Sequence, residues 1–138
     1  MRVVFHGGRI VTAGPDGVIE NGILIVDDGR IGEVGAAGEI EVPGTDAQLI
    51  DLEGQTAIPG LIDLHGHVCG FTAAETAEGI NPKTVTDSVI RATLNCHGAI
   101  SNGITTVREV GSRHEGIFNI SRAVERGDLL GPRIFACG

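Results

Sequence analysis

The distribution of hydrophobic residues along the chain changes near Pro59. Before that position, short runs rich in β-branched residues are separated by Gly, Pro, Asp and Asn, a pattern typical of strands joined by tight turns. The runs are VVF, GRIVT, GILIV, GRIGEVG and QLIDL. GPDG (14–17) and Asp28-Gly29 are turn signals, the second of the hairpin type. Because no helical period appears here, we predict that residues 1–58 form a β domain.

After Pro59 the pattern predicts strands that alternate with helices. The predicted order is a strand (61–68), a polar loop (69–83), a helix (within 84–103), a strand (104–110), a helix (115–127) and the start of a strand (131–138). Gly103 is expected to end the first helix. Alternation of this kind implies parallel strands joined by right-handed crossovers, so residues 59–138 are predicted to be α/β.

Composition excludes several classes of partner. The 138 residues carry a formal net charge of −8, whereas nucleic acids and anionic membrane surfaces are bound by clustered Lys and Arg. No apolar run approaches the roughly 20 residues that a membrane span needs. The three cysteines are odd in number, widely spaced and without a CxxC motif, which favours a reducing, cytoplasmic location over a disulfide scaffold.

Three polar residues stand at alternate positions of the apolar run PGLIDLHGHV: Asp63, His65 and His67. Alternate residues of a strand share a face, so these side chains are predicted to point together toward a ligand site. The residues between them are predicted to face the covering helices: Ile62, Leu64 and Gly66. Two imidazoles about 7 Å apart at their Cα atoms can converge on one metal ion. Asp63 is expected to accept the second N–H of a ligand histidine and fix its tautomer.

The alternative for this motif is that the His pair is a surface accident, because HxH alone is a weak pattern. Its place at the carboxyl end of a buried strand favours a site, since ligands bind at that end of parallel strands. Arg108 is a candidate contact for a substrate carboxylate or a member of a salt bridge. His114 and Phe71 are further candidate substrate contacts, and packing is the alternative for Phe71. His97, on the apolar stripe of the first helix, is predicted to be a buried structural histidine.

Several segments resemble the amidohydrolase superfamily of metal-dependent hydrolases. PGLIDLHGHV resembles the first-strand signature of that superfamily, and GITTVREVG (103–111) its second-strand segment. GPRIFACG resembles the start of the third strand, while GGRIVT and DDGRIGEVG resemble its N-terminal β-sandwich. The pattern is most similar to the branch of imidazolonepropionases and Xaa-Pro or Xaa-Arg dipeptidases.

The resemblance implies a fold, a cofactor and a reaction. Residues 1–58 would be part of a composite β-sandwich, and residues 59–138 the first units of a (β/α)₈ TIM barrel. His65 and His67 would bind Zn²⁺ or another divalent metal, as one or two ions, and Asp63 would support them. A metal-activated water would then hydrolyse a non-terminal carbon–nitrogen bond of a small-molecule substrate, such as an amide, a dipeptide or a cyclic amide.

By this resemblance, we expect the barrel to be incomplete in this chain, because about 250 residues are typical of that fold. The family's other metal ligands and its general base come from later strands, so no catalytic residue is identifiable here. We expect the sequence to be a piece of a longer enzyme, one half of a split or nicked enzyme, or an inactive remnant. A missing C-terminal part or a second polypeptide would complete the barrel, and the enzyme is expected to be a homo-oligomer. The competing hypothesis is a non-catalytic α/β module that binds a protein partner and no metal.

Overall fold

The computed structural model describes residues 1–42, 44, 46–80 and 84–137. It divides into two units, Met1–Pro59 and Gly60–Gly138. The strands are β1 (Arg2–Val11), β2 (Val18–Asp27), β3 (Arg30–Ala36), β4 (Ala47–Asp51), β5 (Thr56–Ala57), β6 (Leu61–Gly66), β7 (Ile104–Glu109) and β8 (Arg133–Ala136). The helices are α1 (Ala73–Ala77), α2 (Val85–Ser101) and α3 (Gly116–Glu125). The predicted loop 69–83 and the predicted strand 131–138 extend over residues 81–83 and 138, which lie outside the described residues.

The first unit is a mixed sheet in the order β3-β2-β1-β4, with β5 also paired to β1. β1, β2 and β3 are antiparallel neighbours, whereas β4 and β5 run parallel to β1. The hairpin predicted at Asp28-Gly29 is confirmed, because both residues have positive φ (48° and 78°), as a type I′ turn requires. VVF and GRIVT, predicted as separate pieces, belong to the single strand β1, whose pairing with β2 is irregular between Phe5 and Ile10.

The second unit is a parallel sheet in the order β6-β7-β8 with helices packed against it. Both predicted helices are present. Thr84 caps α2 through its hydroxyl, and Gly103, at φ 80°, follows the C-cap residue Asn102. The buried core joins strand residues to helix residues: Val107 and Ile134 from the sheet, Ala92 and Cys96 from α2, and Ile117 and Ile120 from α3.

A short helix, α1, lies where the sequence predicted only a loop. Thr72 and Glu75 form a capping box, in which each side chain accepts a hydrogen bond from the other residue's backbone N–H. This local signal was present in the sequence, as the letters TAAE (72–75), and the loop prediction was wrong at these residues.

The predicted orientation of β6 is wrong for two of its apolar residues. Ile62 and Leu64 are 62% and 68% exposed and line an open groove with Arg108 and Phe135, on the face of the sheet opposite the helices. The pairing with β7 explains the difference. Between the pairs Asp63↔Val107 and Gly66↔Glu109, β6 advances by three residues and β7 by two, so β6 holds an extra residue. Alternation of faces therefore does not continue through the histidine segment.

Candidate metal site at the end of strand β6

The two histidine rings come together despite the irregular strand. Their centroids are 5.6 Å apart, and the rings are inclined at 79° to each other. A ring bound through one nitrogen has its centre roughly 3.2 Å from the ion, given metal–nitrogen bonds of about 2.0–2.1 Å. The observed separation of 5.6 Å is therefore one that two imidazoles on a single ion can adopt.

His67 lies just beyond the end of β6, and its ring is oriented by the loop that follows β7. The Nδ1 atom of His67 is 2.9 Å from the carbonyl oxygen of Gly111. Because a carbonyl oxygen only accepts hydrogen bonds, Nδ1 donates and carries the proton. The neutral ring then has its lone pair on Nε2, which is the form that binds a metal ion.

Asp63 has a different partner from the one predicted. Its Oδ1 accepts a hydrogen bond of 2.9 Å from the backbone N–H of His65. The carboxylate thus braces the backbone at the irregular point of β6, where the extra residue leaves ladder positions unpaired. It acts on the position of His65 through the main chain, and the tautomer of His67 is set by Gly111 instead.

Sequence reasoning did not single out Glu109, the last residue of β7. Its side chain is fully buried, and its carboxylate accepts hydrogen bonds from the backbone N–H of Val68, from the backbone N–H of Gly111 at 3.2 Å and from the hydroxyl of Ser112 at 3.0 Å. One carboxylate oxygen lies 3.7 Å from Nδ1 of His67. The only signal in the sequence was a carboxylate two residues after the apolar Val107, on the same face of the strand.

Asn95 on α2 is a second residue that the sequence did not reveal. Its side-chain amide donates to the carbonyl oxygens of Val68 at 2.8 Å and of Gly70 at 2.9 Å. The turn directly after His67 is therefore held from the helix side, and Val68 and Cys69 are buried in the core.

His67 and Phe71 line one cavity of about 240 Å³ at the carboxyl ends of β6 and β7. The other lining residues are Cys69, Gly70, Thr76, Ser88, Gly111, Ser112 and Arg113. The guanidinium of Arg91 stacks over the ring of Phe71, 4.6 Å from its centroid, and pairs with Glu75. This stacking fixes the ring from α2, so that Phe71 is a positioned wall of the cavity.

Arg108 lies in a separate groove, whereas the groove that contains His114 shares Ser112 and Arg113 with the cavity next to His67. Arg108 lies in the open groove with Ile62 and Leu64, and His114 lies in a groove with Val85 and Phe118. His97 is exposed on α2, so the prediction that it is a buried structural histidine was wrong.

A larger cavity of about 650 Å³ contains neither histidine of the motif. It includes Thr105 and Thr106 near the start of β7 and Arg133 at the start of β8. Ligand sites of parallel α/β folds lie at the carboxyl ends of the strands, so the smaller cavity beside His67 is the better candidate site.

The two cysteines near the site have the character of packing residues. Burial raises the pKa of the Cys69 thiol, although a hydrogen bond with Ser112 opposes the shift, and burial raises the pKa of Cys96 to about 11. Thiols of this kind stay protonated at neutral pH and are poor nucleophiles.

The residues present fit part of a metal site. Two imidazoles at a suitable separation, one in the metal-binding tautomer, are the donor set that zinc prefers. Within the described ranges, no three His, Cys, Asp or Glu side chains are grouped so as to hold a metal ion. A closed site therefore needs ligands besides His65 and His67.

Comparisons with known proteins identify the family of this chain. The sequence model of the Amidohydrolase family matches residues 56–138. The imidazolonepropionase of Klebsiella pneumoniae is 37% identical over 107 residues, which cover 66% of this chain and 25% of that protein. The enamidase of Eubacterium barkeri is 34% identical over 113 residues, which cover 81% of this chain and 26% of that protein.

Solved structures give the same result over the whole chain. A prolidase complexed with N-methylphosphonate-L-proline has a TM-score of 0.80 and 31% identity, over 100% of this chain and 32% of that one. A Xaa-Pro dipeptidase with bound methionine in the active site has a TM-score of 0.83 and 28% identity, over 100% of this chain and 33% of that one. This chain thus spans about a quarter of the length of these curated relatives and about a third of the length of these solved chains. No helix in the described residues is long and apolar enough to cross a membrane.

Proposed function

Since the chain belongs to the amidohydrolase family, we propose that it contributes His65 and His67 as metal ligands to a hydrolase that cleaves carbon–nitrogen bonds. The observation that carries the proposal is the pair of rings with centroids 5.6 Å apart at the carboxyl end of a parallel strand. Zn²⁺ or a similar divalent ion suits imidazole nitrogen ligands.

The chain's own residues prepare the ligands. Gly111 holds the proton of His67 on Nδ1, which leaves Nε2 available, and Asp63 fixes the backbone of His65. When bound, a divalent metal ion supplies Lewis-acid chemistry: it polarises a carbonyl oxygen and lowers the pKa of water. Phe71, fixed under Arg91, walls the cavity next to His67 and limits the shape of the group that enters.

The substrate class follows from the named relatives and from the cavity. The names of three relatives, imidazolonepropionase, enamidase and Xaa-Pro dipeptidase, point to substrates with a carbon–nitrogen bond. These names support a small amide, dipeptide or cyclic amide as the substrate. The cavity next to His67 combines the apolar Phe71 with the polar groups of Ser112 and Arg113, so it suits a small molecule with both kinds of group.

The described part of the second unit leaves an apolar groove and the outer edges of its sheet exposed. The exposed groove of Ile62, Leu64 and Phe135 is apolar, and the outer edges of β6 and β8 have no neighbouring strand among the described residues. We propose that additional βα units, from the same polypeptide or a second one, cover this face as the interior of a TIM barrel and bring the remaining ligands. The first unit would likewise belong to a composite β-sandwich.

The proposal is tested on the longest natural polypeptide that carries this sequence, together with any chain that co-purifies with it. We expect elemental analysis to find bound divalent metal, His65→Gln and His67→Gln to lose most of it, and dipeptides or cyclic amides to be hydrolysed. His97→Gln is the control, because His97 is an exposed histidine of the same unit outside the motif. A protein without metal, or one whose metal content is the same in both motif variants, would show that the proposal is wrong.

A further inference from the structure

Glu109 is a buried carboxylate that the proposed chemistry does not use. Its side chain is 0% exposed, and a buried charge is costly unless hydrogen bonds compensate for it. Among the described residues, its carboxylate accepts hydrogen bonds from segments next to the histidine site: the backbone N–H of Val68, the backbone N–H of Gly111 and the hydroxyl of Ser112.

We propose that Glu109 is the positioning residue that holds the His67–Gly111 hydrogen bond in place, and with it the tautomer and orientation of His67, before any metal binds. The inference deepens the proposed function and rests on it, because it takes His67 to be a ligand. Its carboxylate lies between two chain segments, Val68 on one side and Gly111 with Ser112 on the other. The relative position of these two segments decides where the His67 ring points.

The two carboxylate oxygens hold different segments. Oε2 accepts from the N–H of Val68, the residue directly after His67, and so anchors the backbone that carries the ring. Oε1 accepts from Gly111 and Ser112, the turn whose Gly111 carbonyl receives the Nδ1 proton of His67. Both partners of the His67–Gly111 hydrogen bond are therefore attached to the same rigid group.

The charge of Glu109 acts in the same direction. Oε1 lies 3.7 Å from Nδ1 of His67, which favours a proton on that nitrogen over a lone pair. Nε2 is left as the basic nitrogen, and a hydrogen-bonded ring is held more firmly than a free one.

The hydrogen-bond donors around this position favour a glutamate. A carboxylate accepts at every lone pair, and each of its three hydrogen-bonding neighbours is a donor. A glutamine would turn an NH₂ group toward N–H or O–H donors on one side, and an aspartate is one methylene shorter and would reach one segment only. Glu109→Gln is therefore expected to release one side of the site while nearly keeping the volume of the side chain.

The test compares Glu109→Gln with Glu39→Gln in the longest natural polypeptide that carries this sequence. Glu39 is the control, because its carboxylate also accepts a hydrogen bond from a backbone N–H, that of Ala36 at 3.3 Å, but it lies in the first unit, whereas the histidine motif lies in the second. The readouts are the affinity for Zn²⁺ alone, by competition with a chelator, and the ¹⁵N chemical shifts of the His67 ring in metal-free protein.

We expect Glu109→Gln to weaken Zn²⁺ binding by about 10–100-fold, as is typical for the loss of a group that orients a ligand, and to abolish the excess of the Nδ1–H tautomer. Glu39→Gln should leave both readouts unchanged. A folded Glu109→Gln protein with unaltered affinity and tautomer would overturn the inference, since a merely structural glutamate would alter stability alone.

Two further measurements keep the test decisive if Glu109→Gln does not fold. The ¹⁵N shifts of the unsubstituted protein must show the Nδ1–H tautomer of His67, and the opposite tautomer would overturn the inference without any variant. Ser112→Ala removes one of the hydrogen bonds of Glu109 and should lower Zn²⁺ affinity in the same direction, so no change would count against it. If the unsubstituted protein binds no metal, the proposed function fails, whereas the change of the His67 tautomer in Glu109→Gln still tests the role of Glu109.

Discussion

Replacing Asn95 with alanine should loosen the turn that follows His67. The side-chain amide of Asn95 uses both of its hydrogens, on the carbonyl oxygens of Val68 at 2.8 Å and Gly70 at 2.9 Å. A hydrogen bond of this kind contributes a net 0.5–1.5 kcal/mol, so the loss of both costs about 1–3 kcal/mol. Alanine is the better helix former, so α2 itself should not be weakened by the change.

We expect this loss of free energy to appear as more frequent local opening of the turn after His67. At 1.4 kcal/mol for each factor of ten, a loss of about 1–3 kcal/mol raises the open population roughly 5–150-fold. Amide hydrogen exchange measures this directly at Val68 and Gly70, whose N–H groups donate to Glu109 and to the His67 carbonyl. We expect faster exchange at these two amides while the central amides of α2 stay protected.

Asn102→Ala is the matched control for this prediction. Asn102 is an asparagine at the exposed end of the same helix, and its amide donates to the carbonyl of Gly98 at 2.8 Å, away from the turn. Its replacement should leave exchange at Val68 and Gly70 unaltered. If exchange at these amides in Asn95→Ala matches that of the unsubstituted protein, the two hydrogen bonds do not hold the turn and the reasoning is refuted.

Two further predictions concern the strand and the short helix. Gly66→Ala should destabilise the protein by about 1–3 kcal/mol, because a Cβ at this position would lie 2.6 Å from Cγ1 of Val107 in the core. Gly98→Ala is the control and should be neutral or stabilising, because a Cβ there meets nothing within 4 Å. Equal denaturation midpoints for the two variants would contradict this prediction. The backbone and side-chain hydrogen bonds from Thr72 hold the pKa of Glu75 below its ordinary value of 4.5. The ionised Glu75 therefore stabilises the folded protein at pH values above 4.5, and this stabilisation is lost as the pH falls through the lowered pKa of the folded state. The gap in denaturation midpoint between the unsubstituted protein and Glu75→Gln should therefore be present at neutral pH and close in acid, and a constant gap would contradict the prediction.

Local signals in the sequence were sufficient for most elements. Helix α2 begins after a threonine whose hydroxyl caps it and ends before a glycine with positive φ, and both requirements depend on the residue type alone. The Asp28-Gly29 hairpin is determined in the same way. The HxH motif and its resemblance to amidohydrolases led to the family, which the match over residues 56–138 confirms.

The arrangement of the site was decided by tertiary structure. A period of two assigns faces only while the strand is regular, and the extra residue between Asp63 and Gly66 becomes visible only when β6 pairs with β7. Likewise, the letters TTVREV do not reveal that Glu109 is buried, because its hydrogen-bond donors come from Val68 and from the turn after β7. Residue types fix local conformation, but which polar groups share a buried volume depends on segments far apart in the chain, and only the folded packing brings them together.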